Sequence, residues 1–398
     1  MSIAEVVFWS ALALLAYTYV GYPLLVTLAG RRRAETSSDP DVLPHVTVVI
    51  AAYNEDARIR ERIANLLMQD YPADRLDVLV GSDGSTDRTA EAVRAIGSLH
   101  VSVVAFAFRR GKAACLNDLV PRASGDIVVF ADARQQFAPD AIRRLVARFG
   151  DPRVGAVSGE LLLRPSAASP VGEGVGLYWR YEKHVRRMES RLDSSVGATG
   201  AIYAIRRRLF TSIPADTVLD DVLIPMLIAR QGYRVVFEGS ALAYDGTPAN
   251  GRGELARKAR TLAGLFQLFS AHRWLLSPGR NRLWLQTVSH KALRLCGPAL
   301  LMAMLAASLA ADGLVFDLAL GGQVAFYAAA LAGAAFGLRG RRVPRMLALP
   351  WTFCLLNLAV CVAFWRFATG AQRVTWERPA WEAPERWTPT RTRRAVRG

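Results

Sequence analysis

The chain has 398 residues, 52% of them apolar, and carries 50 Lys+Arg against 34 Asp+Glu, a formal charge of +16 at pH 7. Only four of the basic residues are Lys, the charge is spread along the chain and no nucleic-acid-binding motif accompanies it, so nucleic acid is not an expected partner. The four cysteines (Cys115, Cys296, Cys354, Cys361) lack CxxC or Cys/His metal spacing and read as packing residues, and the five scattered histidines give neither a zinc site nor a catalytic group.

In chain order, an apolar run from Val6 to Leu28 comes first, without a charge. It is long enough for the roughly 20 residues that a bilayer core requires. No basic start precedes it, and Arg31, Arg32 and Arg33 follow, the reverse of a cleavable leader. Residues 1–30 therefore read as a transmembrane helix whose C-terminal end faces the cytoplasm. By the same rule residues 44–250 form a cytoplasmic domain, and the protein is multi-pass in the inner (plasma) membrane.

Within that domain, apolar runs alternate with helical periods. Strands are expected at His45–Tyr53, Asp77–Asp83, Val101–Phe108 and Asp126–Asp132, with helices over Asp56–Gln69, from Thr86, after Gly111 and from Pro139. Unbroken apolar strands separated by helices indicate a parallel sheet covered on both faces, so the fold class is α/β, doubly wound. Ligands of such sheets bind at the C-terminal strand ends. Those ends carry Tyr53-Asn54-Glu55-Asp56, then Asp83 with Gly84, Ser85, Thr86 and Asp87, then Asp132. No GxGxxG or GxxxxGK[ST] cradle is present. Carboxylates at strand ends suit ribose hydroxyls, a base edge, or a hard cation bridging phosphates. Taken alone, Asp83–Asp87 also reads as a helix cap. Arg109-Arg110-Gly111-Lys112 opens a helix and suits a diphosphate, or is a solvated basic turn. Two residues after Asp132, where a second acid would complete a metal clamp, stands Arg134. Mg2+ or Mn2+ needs only one or two protein carboxylates when substrate phosphates and water complete the shell. Asp132 alone can anchor it, with Arg134 adding charge beside the departing phosphate.

Val196–Phe210 is rich in small residues, and Gly200 suits close approach of backbone to a substrate on the acceptor side; the alternative is a turn before a surface strand. Thr217–Phe237 begins a helix with Asp220 and Asp221. Neighbours on a helix point about 100° apart, so one acid can face the site while the other caps the helix. Residues 251–289 are basic and amphipathic, with Trp274 and Trp284 placed for a membrane interface. Three further spans are expected within 290–368, at Leu293–Ala311, Leu314–Leu338 and Met346–Phe367, followed by a basic tail, 369–398. Gly340–Arg345 is a basic connection on the cytoplasmic side. Four spans put the tail on the opposite side, although it ends in Arg391-Thr392-Arg393-Arg394.

Together these residues resemble the membrane-integrated family 2 glycosyltransferases of the GT-A fold, the branch with chitooligosaccharide, hyaluronan, poly-N-acetylglucosamine and cellulose synthases. Ala51–Asp56, Asp83–Thr89, Gly111-Lys112 with Asn117, and Asp132 match its nucleotide-binding half in order and spacing. The resemblance implies a nucleotide-sugar donor, a UDP-hexose or UDP-N-acetylhexosamine, held by Tyr53, Glu55, Asp83, Lys112, Asp132, Arg134 and Arg260. Asp83 would meet the nucleoside, and Asp132 the metal and diphosphate. Leu219-Asp220-Asp221 is similar to the family's Thr-Glu-Asp segment, which makes Asp221 the general base and puts Asp220 beside the acceptor. Arg257–Thr261 aligns with the Gln-x-x-Arg-Trp segment: Arg260 matches, Arg257 replaces Gln and Thr261 replaces Trp. The implied activity is inverting sugar transfer to a growing polysaccharide. The alternatives are a single addition to a lipid acceptor, and a non-catalytic membrane protein that senses a nucleotide or glycan.

Overall fold

In a computed structural model of the chain, which describes residues 1–31, 43–164, 172–246, 251–339, 341, 343–372 and 375, the apolar runs assemble into one eight-stranded sheet. Ahead of it, α1 (Ile3–Ala16) and α2 (Tyr22–Gly30) join through a π-turn at Tyr17–Gly21 into one apolar rod, Ile3–Gly30. There follow β1 (Val46–Ala52), α3 (Ile59–Leu67), β2 (Leu76–Asp83), α4 (Thr89–Arg94), β3 (Val101–Phe106), α5 (Lys112–Leu119) and β4 (Ile127–Ala131). These are the expected elements, except that α4 starts at Thr89 and not Thr86. Asp87 explains the shift: one carboxylate oxygen accepts from the Thr89 N–H at 3.0 Å and the other from the Asp56 N–H at 3.1 Å. It caps the helix and ties two loops together.

The chain continues through β5 (Gln136–Phe137), α6 (Ala141–Ala147), β6 (Val154–Arg164), α7 (Gly172–Leu192), β7 (Ile202–Arg206), α8 (Asp220–Arg230) and β8 (Arg234–Gly246). Strand order is β3-β2-β1-β4-β7-β6-β8-β5. β1 pairs in parallel with β2 and β4, β2 with β3, and β6 with β8, while β7 and β5 run antiparallel to their neighbours. The mostly parallel, doubly wound sheet is therefore present. Alternation along β1 sends Val46, Val48 and Ile50 to one face, against Ile59, Ile63 and Leu66 of α3. Val49 and Ala51 go to the other, with Leu116 and Leu119 of α5 and Leu223 of α8.

Two registers set up the site. Ala52 lies opposite Ser82, and Ile50 opposite Ala131, so Tyr53, Asp83 and Asp132 leave the sheet at one edge. β7 is not the surface strand that its basic flank suggests. It is buried from Ile202 to Ile205 because it lies between β4 and β6. Being antiparallel to β4, it starts where β4 ends, with Ile202 opposite Ala131. The glycine-rich segment before it is thereby delivered to the same edge as Asp132.

Beyond the sheet come α9 (Gly251–Ala271), α10 (Trp284–Gln286), α11 (Leu293–Leu295), α12 (Gly297–Ala310), α13 (Leu314–Leu338) and α14 (Arg345–Ala368). Among the described residues three helices are long and apolar enough to cross a membrane: Ile3–Gly30, Leu314–Leu338 and Arg345–Ala368. The straight span expected at Leu293–Ala311 is broken instead. Trp284–Leu295 and Gly297–Ala310 meet at 59°, and only as a bent pair do they make a fourth span. Pro298, in the first turn of α12, lacks the N–H that a continuous helix requires, which accounts for a new start there. Gly340, Arg342 and nearly all of the basic tail lie outside the described residues, as do Arg32 and Arg33.

α7, where the sequence carries no motif, packs the sheet domain against the apolar helices α2 and α14. On α7, Glu189 accepts from the Tyr22 hydroxyl of α2 at 2.5 Å, and His290 Nδ1 stands 2.9 Å from the same oxygen. Two helical turns away, Glu182 receives Lys291 at 2.9 Å and Arg294 at 2.6 Å. Breaking a buried pair of this kind costs about 3–5 kcal/mol, because the surviving charge is stranded.

Candidate active site

The donor side begins with the loops after β1, β2 and β3. Asn54, at φ 55°, accepts the Thr86 N–H through its side-chain oxygen at 2.8 Å, and its own N–H donates to the Ser85 hydroxyl at 3.2 Å. The Glu55 N–H donates to the Thr89 hydroxyl at 2.8 Å, which fixes the Glu55 backbone beside α4. The Arg109 guanidinium lies over the Tyr53 ring, 3.7 Å from its centroid. Gly84, at φ 64°, permits the close stacking of these loops: a Cβ there would lie 2.3 Å from the Arg109 nitrogen.

Asp83 does not cap α4, and it does not line an open cleft. It is fully buried, and its two oxygens accept the backbone N–H groups of Arg110, at 2.9 Å, and Gly111, at 2.8 Å. Its carboxylate is spent on shaping the loop that opens α5. The first residue of that helix, Lys112, turns inward. Its ammonium donates to Asp132 at 3.0 Å and lies 3.5 Å from Asp220. Burial alone would lower the Lys112 pKa, but Asp132 and Asp220 outweigh it and hold the ammonium above the ordinary lysine range.

Asp220 and Asp221 open α8, and neither side chain caps it. Asp220 is buried against Lys112. Asp221 abuts Gly200, where a Cβ would stand 2.8 Å from the carboxylate, and its backbone oxygen accepts the Ala198 N–H at 2.7 Å. Removal from water and the charge of Asp220 push the Asp221 pKa up to about 6, with Lys112 and Arg186 pulling it back. A carboxylate so placed takes a proton near neutral pH. The Gly200 contact carries a direct test. Gly200→Ala is expected to displace the carboxylate by a few tenths of an ångström and lower kcat by about tenfold, consistent with the sensitivity of catalysis to small misplacement. Thermal unfolding is expected to stay near that of the parent, and an unchanged kcat removes Gly200 from the site.

Three further residues converge. Tyr203 of β7 stacks on Phe130 of β4 with centroids 4.4 Å apart. Burial, then the carboxylates of Asp220, Asp221 and Asp132, hold its phenol well above the tyrosine range. Burial lowers the pKa of Arg260 on α9, and the same three acids oppose that shift, so α9 does reach the site. Arg186 of α7 donates to the Thr199 hydroxyl at 3.1 Å, next to Gly200. Tyr203 and Arg186 carry no sequence signal beyond a strand tyrosine and a helix arginine. Arg134 is the exception: it donates to Asp245 of β8 at 2.7 Å, and Gln135 reaches the same oxygen at 3.0 Å. Its guanidinium is paired with a buried acid 111 residues away.

A mannosyltransferase from Pyrobaculum calidifontis, PcManGT, solved in complex with GDP-Man and Mn2+, has a matching structure: TM-score 0.69 and 28% identity over 92% of this chain and 99% of that one. Residues 47–213 match the family model described as glycosyl transferase family 2. Residues 47–213 are a family 2 glycosyltransferase domain. Among curated relatives, the poly-beta-1,6-N-acetyl-D-glucosamine synthase of Staphylococcus aureus is 25% identical over 230 residues, 56% of this chain and 55% of that protein. The beta-monoglucosyldiacylglycerol synthase of Nostoc sp. is 32% identical over 158 residues, 38% of this chain and 34% of that protein. The chain spans about half the length or less of the curated relatives it matches.

Proposed function

We propose that this glycosyltransferase moves a sugar from a nucleotide diphosphate to an acceptor presented at the membrane surface, with inversion at the anomeric carbon. The observation that carries the reading is the gathering of Lys112, Asp132, Asp220 and Asp221 at one sheet edge, with Asp221 on the side of Gly200. Lys112 and Arg260 meet the diphosphate and stabilise the negative charge it gains as the glycosidic bond breaks. Asp221 accepts the proton of the acceptor hydroxyl as that oxygen attacks from the opposite face. One carboxylate is enough, because a diphosphate departs as a stable anion without being protonated; a glycosidase, which must also protonate its leaving oxygen, places two across the bond. Asp83 serves the donor through the loop it holds, and Tyr53 with Arg109 forms a flat wall suited to the base.

Mg2+ or Mn2+ fits at Asp132. Among the described residues no three acids, histidines or cysteines cluster as a metal site. The Asp132 side chain is 39% exposed, though, and one carboxylate suffices for a cation that draws its other ligands from diphosphate and water. When bound there, the cation would neutralise phosphate charge, beside the charge that Lys112 already supplies.

Chain growth is supported by the helices that accompany the domain and by similarity to the S. aureus synthase. Single addition to a lipid is supported by Thr261 in place of Trp and by similarity to the Nostoc enzyme. The full chain, purified into lipid nanodiscs and offered UDP- and GDP-linked sugars, is expected to release nucleotide from one donor class. Product masses then separate a ladder from a single increment. No release from any donor overturns the proposal.

A further inference from the structure

We propose that α14, although long and apolar enough to cross the bilayer, returns to the side on which the sheet domain stands and braces α9 against the active site. The course of the apolar helices follows from their contacts. Phe316, in the first turn of α13, packs on Phe8 of α1 with ring centres 5.1 Å apart. Further along α13, Phe326 meets Phe353 of α14 at 5.7 Å, and Phe353 meets Tyr19 at 5.2 Å. The Tyr19 carbonyl accepts from the Tyr181 hydroxyl of α7 at 3.2 Å. α13 therefore starts at the end of α1 remote from the sheet domain and runs toward that domain. The link from Leu338 to Arg345 then starts α14 on the domain side.

The far end of α14 lies on that side as well. Its 24 residues measure about 36 Å, so a straight crossing would carry the last turn about 30 Å from the domain, beyond the hydrocarbon core. The last turn stays close instead: Phe364 and Phe367 pack on Phe266 of α9, with ring centres 5.5 and 5.9 Å away. Ala359 and Ala363 of α14 are buried, as are Ala259 and Ala263 of α9, and such small residues let two packed helices come close. Arg345 and Arg366 put a cation at each end of α14, the pattern of two ends on the cytoplasmic side, where the arginines after α2 also place the sheet domain. Residues 369–398, with seven Arg and three Glu, follow on that side, and the conflict between a basic tail and a fourth crossing disappears.

The opposite flank of α9 is tied to the site. Leu265 and Leu268 enter the core that α8 shares. Gln267 accepts the Val218 N–H at 3.1 Å and donates to the Asp216 carbonyl at 2.7 Å. Gly264 abuts Leu219, where a Cβ would stand 2.6 Å from Cγ, and Asp220 and Asp221 come next in the chain. The Lys258 ammonium lies 4.6 Å from the ring centres of both Tyr178 and Trp179 on α7. α9 is thus held between α14, α7 and the segment that leads into Asp220, with Arg260 near the acids of the site. α14 also packs on α7, so it steadies both helices that bring an arginine to the site, Arg186 and Arg260.

The brace rests on the reading of Arg260 as a diphosphate contact; the course of α14 does not. The test of that course uses the full chain in bacterial membranes, with one epitope after Gly398 and another in the exposed turn at Gly97, where nothing approaches. In sealed vesicles of either orientation, protease is expected to remove both epitopes or neither. Removal of one without the other overturns the return of α14. For the brace, donor binding is measured in nanodiscs. Phe364→Ala with Phe367→Ala is expected to raise the donor Kd about tenfold, the scale of one displaced charge-assisted hydrogen bond. A variant that only folds less well binds less donor at saturation, with the same Kd. Leucine at both positions keeps the apolar contact and is expected to recover most of the affinity. An unchanged Kd in the alanine variant overturns the brace. A parent protein that binds no donor overturns the catalytic reading instead, and the epitope result stands without it.

Discussion

Asp221→Asn is expected to lower the transfer rate about a thousandfold, within the range that loss of a positioned general base produces, and to leave donor affinity nearly unchanged. The asparagine keeps the shape of the side chain against Gly200 and cannot take the acceptor proton. Single-turnover transfer and an independent donor-binding measurement separate the two effects. A variant with near-parent turnover removes Asp221 from the role of base. The pH profile gives a second readout of the same group. Its pKa is raised to about 6, by removal from water and by Asp220. Only the ionised form works as a base, so kcat/KM is expected to rise with pH through about 6 and then level. The sign for stability is the reverse. A carboxyl raised above its unfolded value keeps its proton longer in the folded state, so folding is favoured at low pH and loses that contribution as pH climbs through about 6. Activity and stability at this residue pull in opposite directions across the same window.

What the sequence discloses of this site follows from what each residue must do locally. Strands buried on both faces have to be unbroken apolar runs, so β1, β2 and β4 are readable, and so are the acids that follow them. Asp132 is readable because it sits at such an end, and Lys112 because it opens the helix after Gly111. Contacts set by distant pairing are not. Asp245 lies 111 residues from Arg134, and nothing near either residue announces the ion pair between them. The likeness to an Asp-x-Asp clamp is a local pattern, and the fold assigns its second position a different partner. The acid pair shows the same limit. Helical geometry allows Asp220 and Asp221 to diverge, but not that both would be used, one on Lys112 and one on Gly200. The antiparallel insertion of β7 is what makes this so, and a strand's direction within a sheet is a tertiary decision. Residues 151–195 are the extreme case. α7 supplies Trp179, Arg186, Glu182 and Glu189, yet its sequence shows an amphipathic helix and no motif.

Lys112→Met is expected to reduce kcat/KM for the donor about a hundredfold or more, the scale on which one well-placed charge stabilises a developing anion. The methionine fills similar volume, so the loss reads out charge more than packing. Lys112→Arg is expected to recover only part of it, because a planar fork cannot sit as a point charge between Asp132 and Asp220. The decisive comparison is again with pH. Lys112 pulls the Asp221 pKa down, and Asp220 pushes it up. Removing the lysine charge therefore moves the acid limb of the rate profile to higher pH, whereas Asp220→Asn moves it to lower pH. If the three carboxyls and the lysine form one electrostatic unit, the two shifts have opposite signs. Shifts of the same sign, or none in either variant, would mean that the titrating group is not Asp221, and that the cluster at this sheet edge holds the loops together without taking the proton.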